Sequence, residues 1–117
     1  MAIITIGKEE RIVKKVNHLI DRNKEIILGN NVVPFLLQLA FANFKKGDSI
    51  EKHKHPTANE IFYIIKGKVL ILGHDFEKFL STGSCFVVEA NEEHELEFLE
   101  ETELSYFLLE NEKRIDD

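Results

Sequence analysis

Hydrophobic and polar residues follow two different patterns along the chain. Between Lys8 and Asn23, apolar residues recur at helical spacing with charged residues between them. From Lys24 onward, short apolar runs of strand length are separated by turn residues. The two patterns predict a short N-terminal helix or docking arm, followed by an antiparallel all-β sandwich or barrel.

Five glycine-containing turns divide the β region, at residues 29–31, 46–48, 66–68, 73–75 and 82–84. In the segment from Glu60 to Lys66, apolar residues occupy both faces of the predicted strand. A strand with one face in water would carry polar residues there. One face should therefore line the barrel, and the other should meet a second sheet, the arm or another subunit. A homodimer is the natural expectation.

The chain is long enough for one domain only. Its 117 residues are 44% hydrophobic and contain no repeat, linker or low-complexity tract. No apolar run reaches the roughly 18 residues of a membrane span. The N-terminus lacks the pattern of a secretory signal. Cys85 is the single cysteine, which excludes an internal disulfide, and its neighbours Phe86 and Val87 predict burial. Together these features predict a cytoplasmic protein that does not enter membranes.

The formal net charge of −6 is concentrated near the C-terminus. No lysine or arginine occurs between Lys78 and Lys113, an interval that carries ten glutamates. Such a surface repels phosphate backbones, so nucleic acid is not an expected partner. The acidic stretch is interpreted as a solvated face of the protein. The alternative is an acidic rim that attracts cations to the pocket.

Potential metal ligands are concentrated in one short stretch. His53 and His55 are two residues apart, so on a strand their side chains point to the same face. The following turn returns Glu60 beside them, and His94 comes from a later strand with an apolar surround. Three imidazoles and one carboxylate suit a divalent transition metal and leave coordination positions open. Each histidine alone could equally be a hydrogen-bonded or exposed residue.

The spacing Gly47-x5-His53-x-His55-x4-Glu60-x6-Gly67 resembles the first sequence motif of the cupin superfamily without a departure. The second cupin motif is weaker in this chain. It corresponds to Gly83, Glu89, Asn91, His94 and Phe98, of which only the glycine and the histidine match.

Asn91 stands where the second motif has glycine, and asparagine adopts positive φ more readily than most residues. Glu89 replaces a proline, and Phe98 replaces an asparagine and makes its region more apolar. These departures affect the shape of the loop and its contacts with a substrate, but leave the histidine in place.

The resemblance covers about residues 35–109 and implies a small single-domain cupin. Its fold would be an antiparallel jelly-roll barrel (a double-stranded β-helix), with residues 1–34 as arm and first strand. The family binds iron, manganese, zinc, nickel, cobalt or copper. Four ligands on an octahedral ion leave two open positions, which favours iron or manganese. The resemblance implies that the metal ligands are His53, His55, Glu60 and His94.

The positions of the arginines limit the charge that the expected substrate can carry. Arg11, Arg22 and Arg114 are the only arginines, and all lie outside the predicted barrel. Arginine is the usual bidentate clamp for carboxylate and phosphate, so the expected ligand is small, uncharged or bound through the metal. Tyr63 is predicted to face away from the site. The predicted pocket residues, each of which could also be core, are Gln38, Phe62, Ile64, Leu96 and Phe98.

Three functions are compatible with these residues. The first is a metal-dependent enzyme, a dioxygenase or a lyase or isomerase that uses the ion as a Lewis acid. The second is a metal-anchored domain that binds or senses a small ligand without turnover. The third is a structural dimer in which the bound metal only stabilises the barrel.

Overall fold

The protein is described by a computed structural model, which covers residues 19–21, 24–29 and 33–110. The described residues form β-strands and no helix. The strands are β1 (Leu19–Asp21), β2 (Lys24–Leu28), β3 (Leu36–Phe44), β4 (Ser49–His53), β5 (Ala58–Lys66), β6 (Lys68–Gly73), β7 (Glu77–Ser81), β8 (Cys85–Val88), β9 (His94–Phe98) and β10 (Thr102–Glu110).

The strands form two antiparallel sheets. One sheet has the order β1-β2-β3-β10-β5-β8, and the other has the order β4-β9-β6-β7. The buried apolar core takes residues from both sheets, including Phe62, Ile64 and Leu104 from the first and Ile71 and Leu96 from the second. This arrangement is the antiparallel jelly-roll barrel that the sequence predicted.

Glycine-containing turns connect the strands at residues 46–48, 66–68, 73–75 and 82–84, where the sequence placed them. Most of the fifth predicted turn, residues 29–31, lies outside the described residues. Gly47, Gly67 and Gly83 all have positive φ, the backbone region that glycine enters without a steric penalty. Gly67 also lies against the start of β10, because a Cβ built on it would be 2.7 Å from the carbonyl oxygen of Glu101. The turn between β5 and β6 therefore needs glycine for two reasons.

The register of the larger sheet determines which side chains face inward. Tyr106 on β10 is paired with Ala40 on β3 and with Phe62 on β5. One step along, Leu108 is paired with Gln38 and with Glu60. Side chains at paired positions share a face of the sheet. Glu60 therefore stands in the same inward-facing row as Gln38.

Two expectations differ from the structure. Leu19–Asp21, the end of the predicted N-terminal helix, forms strand β1, paired with β2; most of Lys8–Asn23 lies outside the described residues. Cys85 is exposed rather than buried. It lies on the edge strand β8, where Phe86 and Val88 alternate inward and Cys85 alternates outward. No helix in the described part of the chain is long and apolar enough to cross a membrane.

Candidate metal centre

Three strands and one loop bring the four predicted ligands together. His53 is the last residue of β4 and is paired with His94, the first residue of β9. Glu60 projects from β5 in the opposite sheet, and His55 lies in the loop that joins β4 to β5. Each of the four residues offers a donor atom, and these atoms all lie within 4.8 Å of one another. Both sheets therefore contribute to the cluster.

Backbone carbonyls orient two of the three imidazoles. Nδ1 of His53 is 2.8 Å from the carbonyl oxygen of Glu51, and Nδ1 of His94 is 3.0 Å from that of Glu92. Because a carbonyl oxygen can only accept, each Nδ1 carries the proton and donates it. In the neutral ring Nε2 then keeps a lone pair. This is the arrangement of histidines that bind metals through Nε2.

One carboxylate oxygen lies close to the Nε2 atoms of two histidines. Oε1 of Glu60 lies 3.1 Å from Nε2 of His94 and 3.3 Å from Nε2 of His55. The second contact lacks hydrogen-bond geometry, and Nε2 of His55 is a buried atom without a hydrogen-bond partner. An unpaired buried polar atom is costly, and a bound cation would remove the cost.

The imidazoles differ in how they hold a proton. Burial is the largest influence on His55 and lowers its pKa, against the attraction of Glu60. Burial also opposes protonation of His94, but hydrogen bonds with Glu60 and with the carbonyl of Glu92 outweigh it. The net effect is a raised pKa for His94. A neutral His94 would direct a lone pair at the carboxylate, so this contact requires a proton or a metal ion between the two groups.

The spacing of the donors fits a metal ion. Two ligand atoms, each about 2.1 Å from a common ion, are separated by roughly 3.0–3.4 Å in octahedral or tetrahedral geometry. The separations of 3.1 and 3.3 Å between Glu60 and the two nitrogens fall in this range. Three imidazoles and one carboxylate are ligands that divalent transition metals accept. The four residues could therefore hold such an ion.

The loop before β9 supports the His55 loop. Asn91 has φ +67°, so it adopts the left-handed conformation expected at this motif position. Its backbone N–H donates to the carbonyl oxygen of His55 at 2.7 Å. The N–H of Ala90 donates to Oδ1 of Asn59 at 2.8 Å. These bonds tie the two ligand-bearing loops together.

A cavity of about 230 Å³ adjoins the cluster. Gln38 and Phe62, two of the predicted pocket residues, line it. The other three are packed in the core, because Ile64 and Leu96 are fully buried and Phe98 stacks on Phe44 with ring centroids 3.9 Å apart. The complete lining is Lys24, Gln38, Ala42, Phe44, Ile50, His53, His55, Glu60, Phe62, Leu104, Tyr106 and Leu108.

The pocket prediction did not include two polar lining residues, Lys24 and Tyr106. Burial, assisted by the charge of Glu60, raises the pKa of Tyr106 well above its ordinary value, so its hydroxyl keeps its proton. Lys24 lies in residues 1–34, which the sequence assigned to the arm and first strand, and from which no pocket residue was predicted. Its position two residues before Ile26 on a strand was the available signal that both side chains face inward.

Other titratable residues lie away from the cluster. His74 is at the tip of the β6–β7 turn with its side chain 82% exposed, as expected for a turn histidine. Tyr63 points outward and is 42% exposed, also as predicted.

Several solved structures share the fold. A predicted oxalate decarboxylase from Thermotoga maritima has a TM-score of 0.72 at 18% identity, with 92% of this chain and 99% of that chain covered. KdgF from Halomonas sp. has a TM-score of 0.65 at 20% identity, over 87% and 94% of the two chains. A Streptococcus pyogenes protein of unknown function has a TM-score of 0.67 at 17% identity, over 97% and 91%. At these identities the likeness concerns the fold.

Sequence comparison identifies the family. No curated protein sequence gave a significant match. The family model described as "Cupin domain" matches residues 40–110, which is more than half of the chain and contains all four cluster residues. Together with the jelly-roll barrel and the spacing of the histidines, this match shows that the chain belongs to the cupin domain family.

Proposed function

We propose that this protein is a metal-dependent enzyme of dioxygenase type that acts on a small uncharged or metal-chelating molecule. One observation carries the proposal: four nitrogen and oxygen donors converge, and three of the residues that carry them, His53, His55 and Glu60, line a largely apolar cavity. In this proposal His53, His55, Glu60 and His94 hold the ion. Iron or manganese is favoured because four protein ligands leave two positions of an octahedron open.

The ion would supply Lewis acidity and, if it is redox-active, electrons for dioxygen chemistry. The chain's own residues bind and orient the substrate. Phe62 and Leu104 give the cavity apolar walls, which exclude water and strengthen electrostatic interactions inside it. Tyr106 keeps its proton and therefore serves as a hydrogen-bond donor rather than as a base. Glu60 is the carboxylate in the cavity lining and would be the one anionic ligand of the ion.

Reconstitution tests the proposal. Protein stripped by a chelator is loaded separately with Fe(II), Mn(II), Co(II), Ni(II) or Zn(II) and assayed against diketones, catechols and thiols, with and without air. We expect oxygen-dependent substrate loss with iron or manganese. His53→Ala should abolish it, and His74→Ala, which removes an exposed imidazole elsewhere, should not. Silence of the wild type with every metal would contradict catalysis.

A second candidate is a metal-anchored binding or sensor domain without turnover. It is favoured by the shortage of acid–base groups among the residues that line the cavity. Outside the cluster the titratable ones are Lys24 and Tyr106, and Tyr106 retains its proton. A pure binder would gain thermal stability with a ligand that is recovered unchanged after incubation. Chemical conversion of that ligand would exclude this candidate.

We also propose a homodimer that uses the outer face of the six-stranded sheet. Tyr63, Ile65 and Val87 on this face are 42%, 38% and 54% exposed. Exposed apolar side chains on one sheet face commonly mark a protein interface. Light scattering should give a dimer for the wild type and a smaller mass for Val87→Glu. A wild-type monomer would contradict this assembly.

A further inference from the structure

Three polar side chains line the cavity without a hydrogen-bond or ion-pair partner among the described residues. Lys24, Gln38 and Tyr106 come from β2, β3 and β10, and all belong to the cavity wall. Across residues 19–21, 24–29 and 33–110, no side-chain hydrogen bond or ion pair is found for any of the three. An ammonium group, an amide and a phenol are thus available to a ligand in the cavity.

The sheet register lets Lys24 reach the cavity. Lys24 is paired with Ala42, and Tyr106 is paired with Ala40. Both alanines are buried, at 3% and 0% exposure, and their short side chains leave space above β3. The lysine side chain crosses that space, and its Nζ lies 6.0 Å from the centre of the Tyr106 ring. The ammonium group is therefore held over an aromatic face at the cavity wall.

A cation in this position favours an anionic ligand. Lys24 is only partly exposed, its Nζ lies over the Tyr106 ring, and within the described part of the chain it forms no ion pair with a carboxylate. Lysine heads that lose part of their hydration gain most from a charge-assisted hydrogen bond to an anion. The amide of Gln38 and the hydroxyl of Tyr106 add uncharged donors on the neighbouring strands.

We propose that the cavity binds a small molecule with two ends, a chelating oxygen pair directed at the histidine–glutamate cluster and a carboxylate paired with Lys24. This inference rests on the proposed metal-dependent function and specifies its substrate class. It revises the expectation of an uncharged ligand, which followed from the absence of arginine in the barrel.

The charges balance for such a ligand. A divalent ion with three neutral imidazoles and one carboxylate keeps a charge of about +1. Lys24 adds a second positive charge at the cavity wall. A bound enolate with a carboxylate tail carries two negative charges, one for each end of the cavity. Apolar residues between the two ends, such as Phe62 and Leu104, would contact its carbon chain.

The test uses three diketones with the same chelating head. Succinylacetone has a carboxylate tail, its methyl ester has an uncharged tail, and acetylacetone has none. Each is titrated calorimetrically into Zn(II)-loaded wild type, Lys24→Met, Lys24→Arg and Lys52→Met. Lys52 is exposed on β4 and serves as the matched control. Zinc affinity and thermal midpoint are measured first for every variant, to show that each one folds and holds metal.

We expect the wild type to bind succinylacetone about tenfold or more tightly than the methyl ester, as for a charge-assisted hydrogen bond. Lys24→Met should lose this preference, and Lys24→Arg and Lys52→Met should keep it, with zinc affinity unchanged throughout. Equal binding of acid and ester to the wild type, or a preference that survives Lys24→Met, would overturn the inference and leave the metal-dependent function standing. Binding of none of the three diketones would also overturn the inference, whereas a wild type that binds no zinc would overturn the metal-dependent function as well.

Discussion

Among single residues, Glu60 has the largest role in organising the cluster. Its Oε1 is shared between the Nε2 atoms of His55 and His94, although only the second contact is a hydrogen bond. Glu60 is 5% exposed, so it cannot satisfy its remaining lone pairs with bulk water. A buried carboxylate among imidazoles is stable only when protons or a metal ion compensate its charge.

Metal affinity should fall as the pH drops. Binding requires neutral imidazoles, so protons compete with the ion. Because the pKa of His94 is raised, competition should begin above the ordinary histidine value of about 6.5. The lowered pKa of His55 keeps that ring neutral to lower pH. Zinc titrations between about pH 5 and 8 should show weaker binding toward acid and proton release on binding near neutrality.

His74→Ala is the control for this titration, because its exposed imidazole lies in the β6–β7 turn and should not affect the profile. An affinity that stays constant from pH 8 to pH 5, at about the same value in both proteins, would show that these imidazoles do not bind the metal.

Among the elements, the loops and turns between the two sheets set the geometry of the site. The β4–β5 connection carries His55, and the loop before β9 is bonded to it through Asn91. The β5–β6 turn leads from the six-stranded sheet to the four-stranded sheet beside the start of β10, at the end of the strand that carries Glu60. Its turn residue, Gly67, has φ +121°, and a Cβ built on it would lie 2.7 Å from backbone atoms of Glu101 and of Thr102.

Gly67→Ala should destabilise the protein more than Gly83→Ala. Both glycines have positive φ, so each substitution should cost about 1–2 kcal/mol in backbone strain. At Gly67 the added Cβ would also approach Oγ1 of Thr102 and lie 2.7 Å from the carbonyl oxygen of Glu101, whereas the space at Gly83 is open. Urea unfolding measures both free energies. Equal losses would show that the β5–β6 turn relaxes around the new methyl group.

In the whole molecule, the cluster joins the two sheets. His53 and His94 belong to the four-stranded sheet, and Glu60 belongs to the six-stranded sheet. An ion held by all three would therefore connect the sheets at the cavity end of the barrel. Ligands that bind only the folded state stabilise it by mass action.

Metal should raise the stability of the wild type, and this gain should depend on Glu60. At a free metal concentration about a hundredfold above the dissociation constant, the expected gain is about 2.7 kcal/mol. Glu60→Gln keeps the size of the side chain but removes its charge, so it should lose most of the gain. Glu97→Gln, an exposed control on β9, should keep it. Thermal melts with and without Zn(II) measure the difference, and an equal gain in Glu60→Gln would contradict the cross-sheet role.

The strands and turns could be predicted because their signals are local. Alternation identified Phe62 and Ile64 as inward-facing and Tyr63 as outward-facing, and the glycines identified the turns. Prediction was less successful where position in the sheet matters. Cys85 lies between apolar neighbours in sequence, yet it is exposed because β8 is an edge strand.

The sequence by itself determined an all-β sandwich or barrel, which its resemblance to the cupin motifs narrowed to a jelly roll, and it grouped His53, His55 and Glu60. Period-two spacing and a short turn place those side chains together without reference to distant strands. Only the tertiary structure decided which inward-facing residues reach the cavity. Strand β10 inserts between β3 and β5, and β2 extends the same sheet, which brings Tyr106 and Lys24 to the cavity wall. The alternation of side chains along a strand shows whether a residue faces inward or outward. Its position relative to the cavity depends on how strands distant in sequence pair with one another.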